Sequence, residues 1–199
     1  MIEQIYKRKI LQDIEKYLNS KETIVVYGAR QVGKTTLLKY LIENNLKEMK
    51  NNVFYFDLEL MNLLELCNQG PEIVYRYLIE KGADEKKQIY LIIDEIQYLE
   101  NPTNFIKIMQ DHYQKIKLLV SGSSTFEIKK KFKDSLVGRI ICFEIHPLSF
   151  EEFLIFKNKT YNLTNNNSKI TNNELIRLAK EYMKYGGYPK IVLEKSEEK

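Results

Sequence analysis

Two rhythms of apolar residues alternate along the chain. Short continuous runs, several rich in β-branched residues, recur at Thr23–Tyr27, Val53–Asp57, Gln88–Ile93, Lys117–Ser121 and Arg139–Ile145. Runs of this length and continuity belong to strands buried on both faces. Between them the apolar positions fall three and four apart. Leu37, Leu38, Leu41 and Ile42 stripe the segment from Lys34 to Asn44. Ile73, Val74, Tyr77 and Leu78 follow Pro71, and Phe105, Ile106, Met109 and Tyr113 follow Pro102. Proline suits the first turn of a helix, where its missing N–H costs no hydrogen bond. A further stripe of Ile5, Ile10, Leu11, Ile14, Tyr17 and Leu18 predicts a helix ahead of the first strand. Strands alternating with helices predict an α/β fold, a five-stranded parallel sheet with helices on both sides.

From Ser149 onward the rhythm is helical only. Ser149-Phe150-Glu151-Glu152 has the spacing of a capping box, and a second helix is expected from about Asn173 to Tyr185, with Leu175, Leu178, Ala179 and Tyr182 facing inward. The asparagine-rich stretch from Asn158 to Lys169 reads as a loop between them. The organisation expected is a core over 1–148 and a partial helical lid over 149–199, with no internal repeat.

One loop turns this architecture towards chemistry. Gly28-Ala29-Arg30-Gln31-Val32-Gly33-Lys34-Thr35-Thr36 lies between the first strand and its helix and fits G-x-x-x-x-G-K-[ST]. The glycines let successive backbone N–H groups curl around a phosphate at the helix N-terminus, where the helix dipole favours negative charge. Lys34 would reach the β- and γ-phosphates, and the Thr35 hydroxyl would ligate Mg²⁺. Residues 28 and 30–36 are therefore candidate nucleotide contacts. About sixty residues on, Tyr90-Leu91-Ile92-Ile93 delivers Asp94 and Glu95 to the carboxyl end of a buried strand, the edge where open α/β sheets bind ligands. Asp94 would serve the metal. Glu95 would orient and deprotonate the attacking water, since phosphoryl transfer asks separate groups to hold the metal and the nucleophile. Ser121 is the first candidate, and Ser123 the second, for a contact to the γ-phosphate or water; a plain turn is the rival reading of Ser121-Gly122-Ser123-Ser124. Among Arg8, Arg30, Arg76, Arg139 and Arg177, Arg139 and Arg30 are candidates for stabilising transferred-phosphoryl charge, with a structural salt bridge at least as open for each.

Composition narrows the field. The hydrophobic fraction of 44% supports a core, and the charged fraction of 29% supports a soluble surface. No apolar run reaches the roughly 18 residues that span a bilayer. The first ten residues are too polar for a secretory signal. Cys67, Cys142, His112 and His146 show no metal-ligand spacing, and the lone cysteines fit a reducing cytoplasm. The net charge of +4 is weak evidence of any partner. The run Lys129-Lys130-Lys131-Phe132-Lys133 reads as a solvated helix face, with a phosphate-backbone contact the lesser alternative.

Taken in order, Gly28 to Thr36, Asp94-Glu95-Ile96-Gln97, Ser121-Gly122-Ser123-Ser124, Leu136-Val137-Gly138-Arg139 and Pro147-Leu148-Ser149-Phe150 resemble one family. It is the prokaryotic AAA-family ATPases, related to origin-recognition and STAND-type P-loop ATPases, and the resemblance runs nearly the length of the chain. It implies an ASCE-type P-loop NTPase core that binds ATP or ADP with Mg²⁺. It also implies that Pro189, in Gly186-Gly187-Tyr188-Pro189, contacts adenine while an early helix around Ile5 to Arg8 closes the other side. Family members normally continue into a C-terminal domain, where a DNA or protein partner would be met; this chain is expected to lack it. An oligomer would need an arginine reaching a neighbour's nucleotide, and none declares itself.

The functional expectation is an Mg-dependent ATPase that couples nucleotide state to a conformational change. The alternative is a nucleotide-gated switch with negligible turnover. A GTPase is disfavoured because no glycine follows Asp94 at the switch position, and no Asn-Lys pair carries the aspartate that reads guanine. A small-molecule kinase would not need Glu95 beside Asp94.

Overall fold

The structure is a computed structural model describing residues 6–123, 132, 135–161 and 168–194. Ile5, Ser124 and the four lysines of the basic run lie outside the described residues. Of that run Phe132 is described, buried in the core.

The elements follow in the order α1 (Leu11–Glu15), β1 (Thr23–Gly28), α2 (Lys34–Asn44), β2 (Val53–Asp57), α3 (Met61–Asn68), α4 (Pro71–Glu80), β3 (Ile89–Asp94), α5 (Pro102–His112), β4 (Ile116–Ser123), β5 (Ile140–Ile145), α6 (Phe150–Phe156), α7 (Lys169–Tyr185) and α8 (Pro189–Leu193). The strands pair in parallel in the order β2-β3-β4-β1-β5. Every carboxyl end therefore lies on one edge of the sheet, and the crossing from β1 to β2 passes over β4 and β3.

Alternation along the strands divides the core in two. Val25, Leu91, Ile93, Leu118 and Val120 face one side and pack with Val74, Leu78, Phe105, Ile106 and Met109 of α4 and α5. Ile24, Val26, Tyr90, Ile92 and Leu119 face the other and pack with Leu11, Ile14, Leu37, Leu38 and Leu41 of α1 and α2. Burial on both faces explains why these strands read as continuous apolar runs. A third cluster joins Leu148, Phe153, Leu154, Phe156, Leu178 and Val192.

Three elements differ from the sequence reading. The apolar stripe before β1 forms only the short α1; Tyr6 to Arg8 is not helical, and turns flank the helix on both sides. The helix α3 has no counterpart in that reading; Leu63, Leu64 and Cys67 form its inward stripe, and Leu60 and Met61 ahead of them, 53% and 68% exposed, blur the pattern. The helix α7 begins four residues earlier than expected, inside the asparagine-rich stretch, where the Ser168 side chain caps it by accepting the Thr171 N–H at 3.2 Å.

The last residue of β1 lies close against the backbone of the edge strand β5. Gly28 pairs with Ile145, and a Cβ at Gly28 would stand 2.3 Å from the Ile145 carbonyl oxygen. Gly28→Ala is expected to destabilise the fold by about 2 kcal/mol, the scale of overpacking a tight site. Urea unfolding checks this; a midpoint equal to wild type would show that β5 yields without cost.

Candidate nucleotide-binding and hydrolytic site

The loop after β1 turns by left-handed backbone at Gln31 (φ 64°) and Gly33 (φ 96°), and Gly33 caps α2. Lys34, in the first turn of α2, is only 5% exposed, and its ammonium donates to the carbonyls of Gly28 and Ala29 at 3.2 and 3.1 Å. Among the described residues no carboxylate pairs with it. A buried ammonium held only by carbonyls, beside the positive end of a helix, is a site made for an anion.

At the end of β3, Asp94 is 2% exposed and its carboxylate takes three donors. Thr35 Oγ1 and the Tyr55 hydroxyl both donate to Oδ2 at 2.7 Å, and Ser121 Oγ donates to Oδ1. Burial pushes the Tyr55 phenol well above its ordinary value, and donation to Asp94 adds to the shift, so it stays protonated and keeps donating. Glu95 follows with left-handed backbone at φ 57°, its N–H donated to Ser121 Oγ at 3.1 Å. Its carboxylate accepts from Gln97 Nε2.

Of these groups Lys34, Thr35, Glu95 and Gln97 border a cleft of about 1070 Å³. Its polar end is lined by Arg30, Gln31, Lys34, Thr35, Thr36 and Glu95. Its more apolar end is lined by Tyr6, Phe156, Pro189 and Leu193, with Lys190 and Glu194 beside them. Tyr6 stacks on Phe156 with ring centroids 4.6 Å apart. Pro189 reaches over the loop, its Cγ 3.8 Å from where a Gly33 Cβ would be.

The sequence candidates thus divide. Arg30, Gln31, Gly33, Lys34, Thr35, Thr36, Glu95 and Pro189 border the cleft, and Gly28 supplies a carbonyl to Lys34. Val32 turns its side chain into the core, fully buried, and can offer only backbone to a ligand. Ser121 is fully buried too, and it sits under Asp94 and Glu95 rather than facing the cleft. Its expected contact to phosphate or water is replaced by a supporting one, because the strand's alternation points residue 121 at Asp94 of the neighbouring strand. Arg139 is not brought to the site. It precedes β5, its carbonyl accepts the Thr23 N–H at the start of β1, and its guanidinium grips Asp111 of α5 at 3.0 and 3.2 Å. A whole strand, at about 3.3 Å per residue, separates it from the loop. The second side of the apolar end is closed by Tyr6 in non-helical chain, where an early helix was expected.

Sequence reasoning missed Tyr55, Gln97 and Arg8. Tyr55 could have been found from register: Asp57 pairs with Asp94, so Tyr55 lies two residues back on the same face, within reach of a long side chain. Arg8 carried no local signal. It is 8% exposed and donates to three segments at once: Nε to Glu152 at 2.9 Å, Nη1 to the Val32 carbonyl at 3.1 Å and Nη2 to the His146 carbonyl at 2.9 Å. The Glu152 carboxylate also accepts the backbone N–H groups of Lys9 and Ser149, each at 3.0 Å, the latter completing the α6 capping box. One ion pair so joins the phosphate loop, the exit of β5 and the first lid helix. The far end of the lid returns to the same place: Leu148 donates its N–H to Gly187 at 2.7 Å, and its carbonyl accepts the Tyr182 hydroxyl at 2.7 Å.

The donor set also fits Mg²⁺. This ion takes one or two protein oxygens and leaves the rest to phosphates and water. Thr35 and Asp94, hydrogen-bonded to each other at the loop, supply such oxygens, and no group of three or more His, Cys, Asp or Glu ligands occurs among the described residues. Nor, among them, is any helix long and apolar enough to cross a membrane.

A five-stranded parallel sheet with a phosphate loop after β1 and a paired Asp-Glu after β3 defines a P-loop NTPase. A family model described as an AAA domain matches residues 20–154, and the chain belongs to that AAA family. It is 33% identical over 189 residues to the uncharacterized protein MJ1544 of Methanocaldococcus jannaschii, a match spanning 94% of this chain and 40% of that one. The chain thus spans less than half the length of this curated relative. Among solved structures it superposes on C. elegans PCH-2 with a TM-score of 0.60 at 16% identity, over 98% of this chain and 64% of that one. It superposes on the Aeropyrum pernix ORC1 protein, solved in complex with DNA, with a TM-score of 0.56 at 10% identity, over 94% and 58% of the two chains. At such identities the likeness is one of fold.

The Arg8–Glu152 pair predicts an acid-sensitive fold. Burial pushes the Glu152 carboxyl up, but the Arg8 guanidinium and the Ser149 and Lys9 N–H groups outweigh it and hold the carboxyl below its ordinary 4.5. The stabilisation is complete above 4.5 and is lost as the pH falls through the lower folded value. Glu152→Gln, which strands the buried guanidinium, is expected to cost about 3 kcal/mol at neutral pH and to flatten the loss of stability in acid. Urea unfolding across pH checks both.

Proposed function

We propose that this chain is an Mg-dependent ATP-binding and ATP-hydrolysing module whose lid answers to the nucleotide. The observation carrying this reading is the convergence of Lys34, Thr35, Asp94 and Glu95 on one edge of the sheet, at one end of a cleft whose other end is apolar.

The loop N–H groups and Lys34 bind the β- and γ-phosphates. Lys34 exchanges the carbonyls of Gly28 and Ala29 for phosphate oxygens, a stronger charge-assisted partner. Thr35 and Asp94 hold Mg²⁺, which neutralises phosphate charge when bound. Glu95 takes a proton from water as its oxygen attacks the γ-phosphorus; the bond to the β-phosphate oxygen breaks, leaving ADP and inorganic phosphate. Arg30 stands at the cleft as the remaining cationic candidate for phosphoryl charge. The adenine lies among Tyr6, Phe156 and Pro189, a planar apolar base against stacked rings and a proline.

Coupling to shape follows from the lid. Pro189 and Phe156 belong to residues 149–194, and Arg8 ties that unit to the loop carbonyl of Val32. A ligand touching both ends of the cleft therefore changes the balance between loop and lid. A DNA or protein partner, in a cytoplasmic setting, is proposed for the longer proteins this chain resembles, on the strength of that resemblance and of a fold shared with ORC1.

Titration with a fluorescent ATP analogue tests the loop: Lys34→Ala is expected to lose measurable affinity, and wild-type binding by that variant would refute the phosphate site. Steady-state hydrolysis tests the carboxylate. Glu95→Gln should bind Mg·ATP within about threefold of wild type while turnover falls by roughly 10²-fold or more. Unchanged turnover would remove Glu95 from the role of base.

A further inference from the structure

We infer that Gln97 is a positioning residue for Glu95, tying that carboxylate to the end of β4; this rests on the hydrolytic reading above. The backbone of Glu95 is fixed in the left-handed region, its N–H donated to Ser121 Oγ and its carbonyl accepting the Tyr98 N–H at 3.1 Å. That fixes where the side chain starts and not where it ends, since a glutamate has three rotatable bonds beyond Cα. Something must hold the carboxylate for it to meet a water in one geometry.

The Gln97 amide does this from a short 3₁₀ turn, Ile96–Tyr98, whose flanks Ile96 and Leu99 are 0% and 5% exposed and anchor it in the core. Its Nε2 donates to Glu95 Oε2, and its Oε1 accepts the Ser123 N–H at 3.3 Å. The amide has one self-consistent orientation. Reversed, it would set oxygen against carboxylate and NH₂ against N–H. It occupies one carboxylate oxygen and leaves the other for water. Because Ser123 closes β4, the strand between β1 and β3, a displacement at that strand end reaches the base through a single side chain. Gln97 also borders the cleft, so the link lies where a triphosphate would be felt.

The test uses the whole chain in Mg·ATP hydrolysis, with Gln97→Ala, Gln97→Glu and Glu95→Gln compared with wild type. Gln97→Glu keeps the acceptor for the Ser123 N–H but sets a carboxylate where the donor to Glu95 was. Positioning predicts that both Gln97 variants lower kcat about tenfold or more, with KM within about twofold of wild type. If Gln97→Glu keeps the wild-type kcat while Glu95→Gln is inactive, Gln97 only anchors a turn and the inference is overturned. If wild type shows no turnover, or Glu95→Gln retains it, the hydrolytic reading itself falls and takes this inference with it.

Discussion

A buried carboxylate must be compensated or the fold pays for it, and Asp94 sets that demand for the whole sheet edge. At 2% exposure its oxygens are met by donors from three directions, Thr35 from α2, Tyr55 from β2 and Ser121 from β4. The strand order β2-β3-β4 puts two of those donors on its immediate neighbours, and α2 lies across the same face. The requirement to satisfy one charge therefore fixes the relative height of three strands and a helix. It also brings the hydroxyl next to the phosphate loop within hydrogen-bond reach of the carboxylate.

The same logic recurs at Glu152, where a buried carboxylate is met by a guanidinium and two backbone N–H groups. There the compensation links units instead of strands. Arg8 spends its remaining donors on Val32 and His146, so the N-terminal segment becomes a bolt between phosphate loop, sheet and lid. The two carboxylates organise different things: Asp94 the chemistry, Glu152 the frame around it.

How much of this was legible in the sequence depends on the range of the interaction. Strands buried on both faces announce themselves as continuous apolar runs, and the phosphate loop is a local motif, so the sheet and the Lys34–Thr35 end of the site could be read directly. The helix α3 could not, because its leading residues are exposed; nor could the first turn of α7, which rests on the Ser168 cap rather than on burial. Ser121 was rightly placed at the sheet edge but aimed at the wrong partner, since which way a strand residue points depends on a register that only pairing sets. Arg139 has the charge and the glycine neighbour of a site residue, and nothing local says that it stands at the start of β5, a strand's length from the loop. Tyr55 and Arg8 act across 39 and 144 residues, beyond the reach of any spacing rule, and Gln97, two residues from Glu95, depends for its second partner on Ser123, 26 residues on.

The contact between Leu148 and Gly187 gives the lid an unusual topology. The chain leaves the core at Leu148, runs through α6 and α7, and comes back to hydrogen-bond the residue it left from. A Cβ at Gly187 would stand 2.3 Å from the Leu148 oxygen, so the two backbones meet without room for a side chain. The intervening helices form a loop with a sealed neck, and Pro189 emerges just past the seal. Its position is thus set by the neck rather than by the length of the excursion. A change in the length of chain between α6 and α7 should therefore leave the proline's place over Gly33 unchanged.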